Sequence, residues 1–328
     1  MRLMRGFRQR HFRRPGCVAT IGNFDGIHLG HQAVLGQLAE KASELGLPSV
    51  VITFEPHPQE FFRPGAAPIR ITGFREKMQT LRRYAVDHVL CLRFGRALAD
   101  MPARDFIRRV LVESLGVRSL VIGGDFRFGH GREGDVALLR REGEQAGFQV
   151  LVMRAFEIGG ERVSSTRIRA ALQQGDLAAA EKLLGRSYRL SGRVVTGDRR
   201  GRQLGFPTAN VHLKRRGLAH GGTQGAPLTG VFAVQVFGLD REPLPGIANI
   251  GVRPTVGGGA CRLEVHLLDF AADIYGRHVQ VEFLTRLRDE VRFESLDALQ
   301  QQIRRDEAHA REFFEQRLIE QRRLAGLG

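Results

Sequence analysis

Two stretches of the chain gather residue types that handle phosphate. Gly22-Asn23-Phe24-Asp25-Gly26-Ile27-His28-Leu29-Gly30-His31 sets two histidines three apart around a glycine, directly after an apolar run. A glycine-rich turn between strand and helix offers backbone N–H groups and the positive end of a helix dipole to an anion. Imidazole N–H groups donate to phosphate oxygens, and the intervening glycine lets backbone approach a ligand. Such donors stabilise the charge that builds when an α-phosphate is attacked. The alternative is that His28 and His31 simply open a helix. A second element, Val163-Ser164-Ser165-Thr166-Arg167-Ile168-Arg169, places hydroxyls and guanidiniums at a predicted helix start. Ser165 is expected to be its N-cap.

The C-terminal half lacks a G-x-x-x-x-G-K-[ST] run and every protein-kinase signature, so neither common phosphotransfer scaffold is available. It carries instead Gly197-Asp198-Arg199-Arg200-Gly201-Arg202-Gln203-Leu204-Gly205-Phe206-Pro207-Thr208-Ala209-Asn210. Gly197, Gly201 and Gly205 can wrap phosphates, Pro207 fixes the approach, and Thr208 and Asn210 give hard oxygen ligands for Mg²⁺. Further on, strand alternation sets Arg262, Glu264 and His266 on one face and Leu263, Val265 and Leu267 on the other. Glu264 can take a proton from an attacking alcohol or stand in an ion pair with Arg262, and the pattern leaves both open.

These residues need elements to hold them. Short runs rich in Val, Ile and Leu at 18–21, 49–54, 88–92, 119–122 and 149–153 read as buried strands. Between them, 31–45, 74–84, 103–115 and 135–146 have apolar residues at helical spacing. The alternation predicts an α/β domain with a doubly wound parallel sheet, whose ligands sit beyond the carboxyl ends of the strands. A short helix at 177–184 ends at Gly185, and the texture then changes. Runs at 193–196, 231–237, 247–250, 262–268 and 279–283, separated by Gly, Pro and Asp, predict an antiparallel β-barrel closed by an amphipathic helix over 296–324. The expected domains are residues 1–185 and 186–328. A Gly-rich loop covers 214–227.

The chain has 328 residues, long enough for two such domains, and a formal net charge of +15. Only four basic residues are Lys, so the Arg excess reads as a compositional bias. Arg2, Arg5, Arg8, Arg10, Arg13 and Arg14 form a basic arm ahead of the first expected strand. Charge alone is a weak argument for nucleic acid, since it attracts any polyanion, ATP included. Mean hydropathy is −0.20, and no run approaches the ~20 apolar residues of a membrane span. Cys17, Cys91 and Cys261 are odd in number and widely spaced, which suggests neither a disulfide framework nor a zinc site. With no apolar leader after the arginines, a reducing cytoplasm is expected.

Together the two N-terminal motifs resemble the H-x-G-H nucleotidylyltransferase superfamily. Thr53-Phe54-Glu55-Pro56-His57-Pro58 and Gly123-Gly124-Asp125-Phe126-Arg127-Phe128-Gly129 are similar to stretches of the bacterial bifunctional riboflavin kinase/FAD synthetase family. The 197–210 string, Asn249-Ile250-Gly251-Val252-Arg253-Pro254-Thr255, Ile274-Tyr275-Gly276 and Leu287-Arg288-Asp289-Glu290 resemble its kinase domain. Phe232 departs from the Tyr common in that family, and the 214–227 loop looks long for it. The resemblance implies phosphorylation of riboflavin to FMN by the C-terminal domain and adenylylation of FMN to FAD by the N-terminal one. It implies that Gly22, Phe24, His28, His31, Ser164, Thr166 and Arg167 hold ATP. By the same reading, Asn23, Asp125, Phe62, Phe126 and Phe128 meet the flavin, core packing being the alternative for the three phenylalanines. In the kinase, Gly197, Gly201, Gly205, Thr208 and Asn210 take ATP with Mg²⁺, Arg253, Thr255 and Arg288 take flavin, and Glu264 is the base. The implied ligands are riboflavin, ATP, FMN and FAD, with no nucleic acid and no membrane; weak homo-oligomerisation is left open. An aminoacyl-tRNA synthetase, the rival H-x-G-H enzyme, would need a K-M-S-K-S-like loop that Glu76-Lys77-Met78-Gln79 does not supply.

Overall fold

The computed structural model describes residues 1–7, 16–196, 205–213, 225–253 and 260–324. Its described residues divide into two compact units, one drawn from Met1–Pro68 and Phe74–Ser165, the other from Ile69–Gly73 and the described chain from Thr166 onward.

The first unit is a six-stranded sheet of β1 (Arg2–Arg5), β2 (Cys17–Ile21), β3 (Ser49–Glu55), β4 (His88–Arg93), β5 (Val117–Gly123) and β6 (Gln149–Met153). Their order is β1-β4-β3-β2-β5-β6 and every pairing is parallel. Each central strand is buried on both faces, which is why these segments read as unbroken apolar runs. The side-chain period of two still divides them. Ala19, Ile52, Leu90 and Leu120 join one core with Phe106, Val110 and Leu139. Val18, Val51, Val89 and Val121 join another with Leu35, Leu38 and Leu81.

The helices supplying those partners are α1 (Leu29–Leu45), α2 (Pro58–Phe62), α3 (Phe74–Arg82), α4 (Arg96–Ala99), α5 (Ala103–Phe106) with its widened continuation Ile107–Leu115, and α6 (Val136–Ala146). Gly46 ends α1 in the left-handed region at φ 61°. Asp135, expected inside α6, is its N-cap and accepts from the Leu138 amide at 2.8 Å.

The short helices α2 and α4 escaped the sequence pattern, and so did two pieces of sheet. Part of the basic arm is β1, paired residue for residue with β4 from Arg2–His88 to Arg5–Cys91. A two-stranded hairpin, β7 (Glu157–Ile158) with β8 (Glu161–Arg162), follows β6.

The second unit begins with α7 (Ser165–Gln174, whose first residue belongs to the first unit) and α8 (Leu177–Leu184). A closed barrel follows: β9 (Arg189–Val195), β10 (Ala209–His212), β11 (Gly230–Phe237), β12 (Leu244–Arg253), β13 (Ala260–Leu267) and β14 (His278–Arg288). All six pairings are antiparallel, in the order β10-β13-β12-β11-β14-β9. The expected strand at 193–196 starts earlier, and β10 was not expected at all. Leu263, Val265 and Leu267 are buried while Arg262, Glu264 and His266 are half-exposed, as the alternation predicts. Phe232, departing from the family's Tyr, is fully buried edge-on to Phe283 at 5.4 Å. The last helix, α9 (Leu296–Leu324), packs Ala310, Phe313 and Phe314 against Val231, Ala233 and Ile247 on the barrel's outer face. The 214–227 loop lies mostly outside the described residues.

Candidate active sites

In the first unit a cavity of about 1160 Å³ opens beyond the carboxyl ends of β2, β5 and β6, as expected for a parallel sheet. Gly22, Asn23, Phe24, His28, His31 and Ser164 line it, as do all five residues expected to meet flavin. Thr166 and Arg167 are not among the lining residues; they follow Ser165 in the first turn of α7.

The H-x-G-H turn is built under strain. Phe24 and Ile27 have φ of 49° and 44°, a region unusual for any side chain and worst for a β-branched one. Each such residue costs about 1–3 kcal/mol and persists only where its surroundings enforce it. Here alternate carbonyls of the turn are tied by side chains from other parts of the unit. Asn23 O accepts from Lys77 Nζ at 2.6 Å and Thr53 Oγ1 at 3.4 Å. Asp25 O accepts from Ser165 Oγ at 3.0 Å, and Ile27 O from Gln32 Nε2 at 2.9 Å. Ser165 therefore opens α7 and clamps the turn, rather than acting as the expected N-cap.

His28 is the N-cap of α1, its Nδ1 accepting from the His31 amide at 3.3 Å. The two imidazoles stack with centroids 3.7 Å apart. A Cβ on Gly30 would stand 3.2 Å from His28 Nδ1, which explains glycine between them. Burial, then the charges of His28, Lys77 and Arg162, hold His31 well below the usual imidazole range. His31 is thus neutral at pH 7, and its buried Nδ1 has no hydrogen-bond partner among the described residues.

The aromatic wall has two characters. Phe62 is 61% exposed, in contact with Phe61 and Phe94. Phe128 is 8% exposed and belongs to the core, with Phe126 stacked on it at 5.5 Å. Asp125, at the cavity rim, accepts from Arg162 of β8 at 2.7 Å. Arg162 was not singled out by sequence, because the hairpin that carries it is too short to give a periodic signal.

In the barrel, register aligns three polar residues on neighbouring strands: Asn210 of β10 opposes Glu264 of β13, which opposes Asn249 of β12. Arg262 Nε lies 2.7 Å from Glu264 Oε1, and its Nε and Nη2 each donate to Asn210 Oδ1 at 3.2 Å. Both sequence readings of Glu264 are thus compatible with its position: it faces Asn210 and is ion-paired. His266 lies 2.9 Å from Pro207 O, tying β13 to the segment carrying Thr208. Thr208 and Asn210 are half-buried and carry neutral hard oxygens of the kind Mg²⁺ takes, the Asn210 Oδ1 being held by Arg262 in this structure. Arg288 is held by buried Asp306 of α9 through contacts of 2.8–3.0 Å and lies over the Phe293 ring at 5.5 Å. Gly205 is a turn residue at φ 84°. Gly197, Gly201, Thr255 and the Arg253 side chain lie outside the described residues.

Comparison with known proteins bears on both sites. Residues 11–167 match the family model for FAD synthetase and residues 184–314 that for riboflavin kinase. Among similar proteins, the bifunctional riboflavin kinase/FMN adenylyltransferase of Escherichia coli (strain K12) is 51% identical, covering 96% of this chain and 98% of its own. Proteins of the same name from Pseudomonas fluorescens and Haemophilus influenzae (strain ATCC 51907 / DSM 11121 / KW20 / Rd) are 50% and 45% identical; the matches cover 95% and 96% of this chain and 97% and 99% of theirs. A Streptococcus pneumoniae crystal structure described as a macrolide-efflux protein is also similar, with TM-score 0.80 and 31% identity over 94% of this chain and 98% of that one. Among the described residues no helix is long and apolar enough to cross a membrane. An H-x-G-H cavity in one unit, an Asn/Glu strand face with Thr208 just ahead of it in the other, and relatives matched nearly end to end lead to one conclusion: the chain belongs to the bifunctional riboflavin kinase/FMN adenylyltransferase family.

Proposed function

We infer that the two candidate sites divide two ATP-dependent steps between them. The chain is a riboflavin kinase and an FMN adenylyltransferase. The observation that carries the division is that each site, with its own phosphate-handling residues, lies within the stretch matched by one family model.

In the cavity, an FMN phosphate oxygen attacks the α-phosphorus of ATP, the bond to the β-phosphate oxygen breaks, and pyrophosphate leaves. Gly22, Phe24, His28, His31 and Ser164 hold the nucleotide. Neutral His31 serves as an N–H donor to phosphate and needs no proton transfer of its own. Asn23, Asp125, Phe62, Phe126 and Phe128 meet the flavin, with exposed Phe62 the freest to stack on an isoalloxazine. Both substrates are anions, so positioning and charge neutralisation carry the step.

At the barrel, Glu264 takes the proton of the terminal ribityl hydroxyl as its oxygen attacks the γ-phosphorus, and ADP leaves. Arg262 orients the carboxylate and ties it to Asn210. Thr208 and Asn210 would hold Mg²⁺, which supplies charge neutralisation at the phosphates when bound. Gly197, Gly201 and Gly205 wrap the nucleotide, and Arg253, Thr255 and Arg288 border the flavin. Arg288 does so through its stem and plane, since its donors are engaged by Asp306 and by the Asp289 carbonyl. The proposed adenylyltransferase domain is 1–185 and the kinase domain 186–328. Three free cysteines support a reducing cytoplasmic setting.

Glu264→Ala is expected to abolish riboflavin phosphorylation and leave FMN-to-FAD conversion within about twofold, and His31→Ala to do the reverse. Joint loss of both activities in either folded variant overturns the division.

A further inference from the structure

Lys77 is a buried cation that the steps above do not use. It stands on α3 at 4% exposure, and the chain leaves an ammonium out of water only where its surroundings compensate it. Its Nζ donates to the Asn23 carbonyl at 2.6 Å, the shortest of the four side-chain ties described on the strained H-x-G-H turn. The peptide that follows this carbonyl leads into Phe24 at φ 49°, so the tie fixes the first left-handed step of the turn. Fully buried Ile27, at φ 44°, follows Gly26 at φ 84° and directly precedes His28. Asn23, Phe24, His28 and His31 all line the cavity, whereas Lys77 does not.

We propose that Lys77 is a positioning residue of the adenylyl-transfer site, holding the Asn23–Ile27 turn in the shape that presents His28 and His31 to a nucleotide triphosphate. A charge-assisted bond suits this task better than a neutral one, because it is stronger. The ammonium also adds fixed positive potential next to the histidines. The groups facing His31 are His28 at the start of α1, Lys77 on α3 and Arg162 on β8, the last paired with Asp125. Lys77 and Arg162 are cations that oppose protonation of His31, in the same direction as its burial, and a proton on His28 would add to them. Removing one of them makes His31 easier to protonate. The proposal rests on the cavity being the FMN adenylyltransferase site.

The test uses full-length Lys77→Met and Lys77→Arg, with wild type and His31→Ala alongside, assayed for FAD formation from FMN and for FMN formation from riboflavin across pH. Lys77→Met is expected to lower kcat/KM for ATP in FAD formation by about tenfold or more, most of it in kcat. The inflection belonging to His31 is expected to move to higher pH, and riboflavin phosphorylation to stay within about twofold. Lys77→Arg, which keeps the charge and a donor, is expected to recover most of the rate and the wild-type inflection. The proposal is overturned if Lys77→Met keeps its rate, or if it loses rate with the inflection unmoved and Lys77→Arg no better. Should Lys77→Met fail to fold, Lys77→Arg decides alone: a kcat for FAD formation within about threefold of wild type, with the wild-type inflection, supports the role, and a greater loss removes it. A wild type that makes FAD, with a His31→Ala that does not, separates failure of this inference from failure of the site assignment. Wild type making no FAD removes both.

Discussion

At the scale of single residues, His31 ties stability to proton uptake. Its folded form resists protonation, whereas an unfolded chain takes up a proton near pH 6.5. The unfolded state therefore binds more protons below that value, and stability falls as pH drops. Burial at His88 acts in the same sense. The stability is fully present above about pH 6.5 and is lost progressively toward pH 5 and the lowered folded value. Urea denaturation is expected to give a lower midpoint at pH 5 than at pH 7, with His31→Gln flattening the difference. An unchanged wild-type midpoint would contradict the neutral imidazole.

At the scale of elements, the barrel tolerates little added bulk where strands cross closely. A Cβ on Gly192 of β9 would meet Val211 Cγ1 at 2.5 Å and the His212 carbonyl oxygen at 2.6 Å, both on β10. Overpacking of this kind costs roughly 1–3 kcal/mol. Because β10 carries Asn210, Gly192→Ala is expected to lower the melting temperature and depress riboflavin phosphorylation several-fold, leaving FAD formation nearly untouched. Calorimetry and the two assays check it. Elements whose burial makes a simple pattern were legible in the sequence: β6 runs over Gln149–Met153 and α9 over Leu296–Leu324, as expected. Those built from short or mixed residues were not. In β1 only Met4 is buried among Arg2, Leu3 and Arg5, and β10 is four residues inside a run that reads as a loop. The site was legible where chemistry lies in residue type, as at His28, His31 and Glu264. It was hidden where a role arises from tertiary contact, as with Lys77 beneath the turn and Ser165 on Asp25.

For the whole molecule, composition says less than the cores do. The net charge of +15 would suit a nucleic-acid binder, yet much of the local charge is answered inside the fold. Arg311 bonds both Asp269 and Glu307, Arg288 holds Asp306, and Arg189 is paired with buried Glu282. The cysteines are graded by burial in the same way. Cys17 is fully buried, its thiol pushed up to about 12, and Cys91 is 8% exposed, while Cys261 is half-buried. A thiol reagent applied to native protein at pH 8 is expected to modify Cys261 and spare Cys17 and Cys91, with all three reacting after denaturation. Rapid labelling of Cys17 without loss of fold would contradict the packed sheet.

The opening strand makes the amino end a working seam of the sheet. The Arg2 amide already donates to the Asp87 carbonyl at 2.7 Å, and Arg2 to Arg5 pair along the run His88–Cys91 of β4. Trimming the first six residues would bare a hydrophobic ribbon of unmatched amides and carbonyls, inviting a second chain to dock alongside. Light scattering on such a shortened chain should report clumping well before either catalytic step declines.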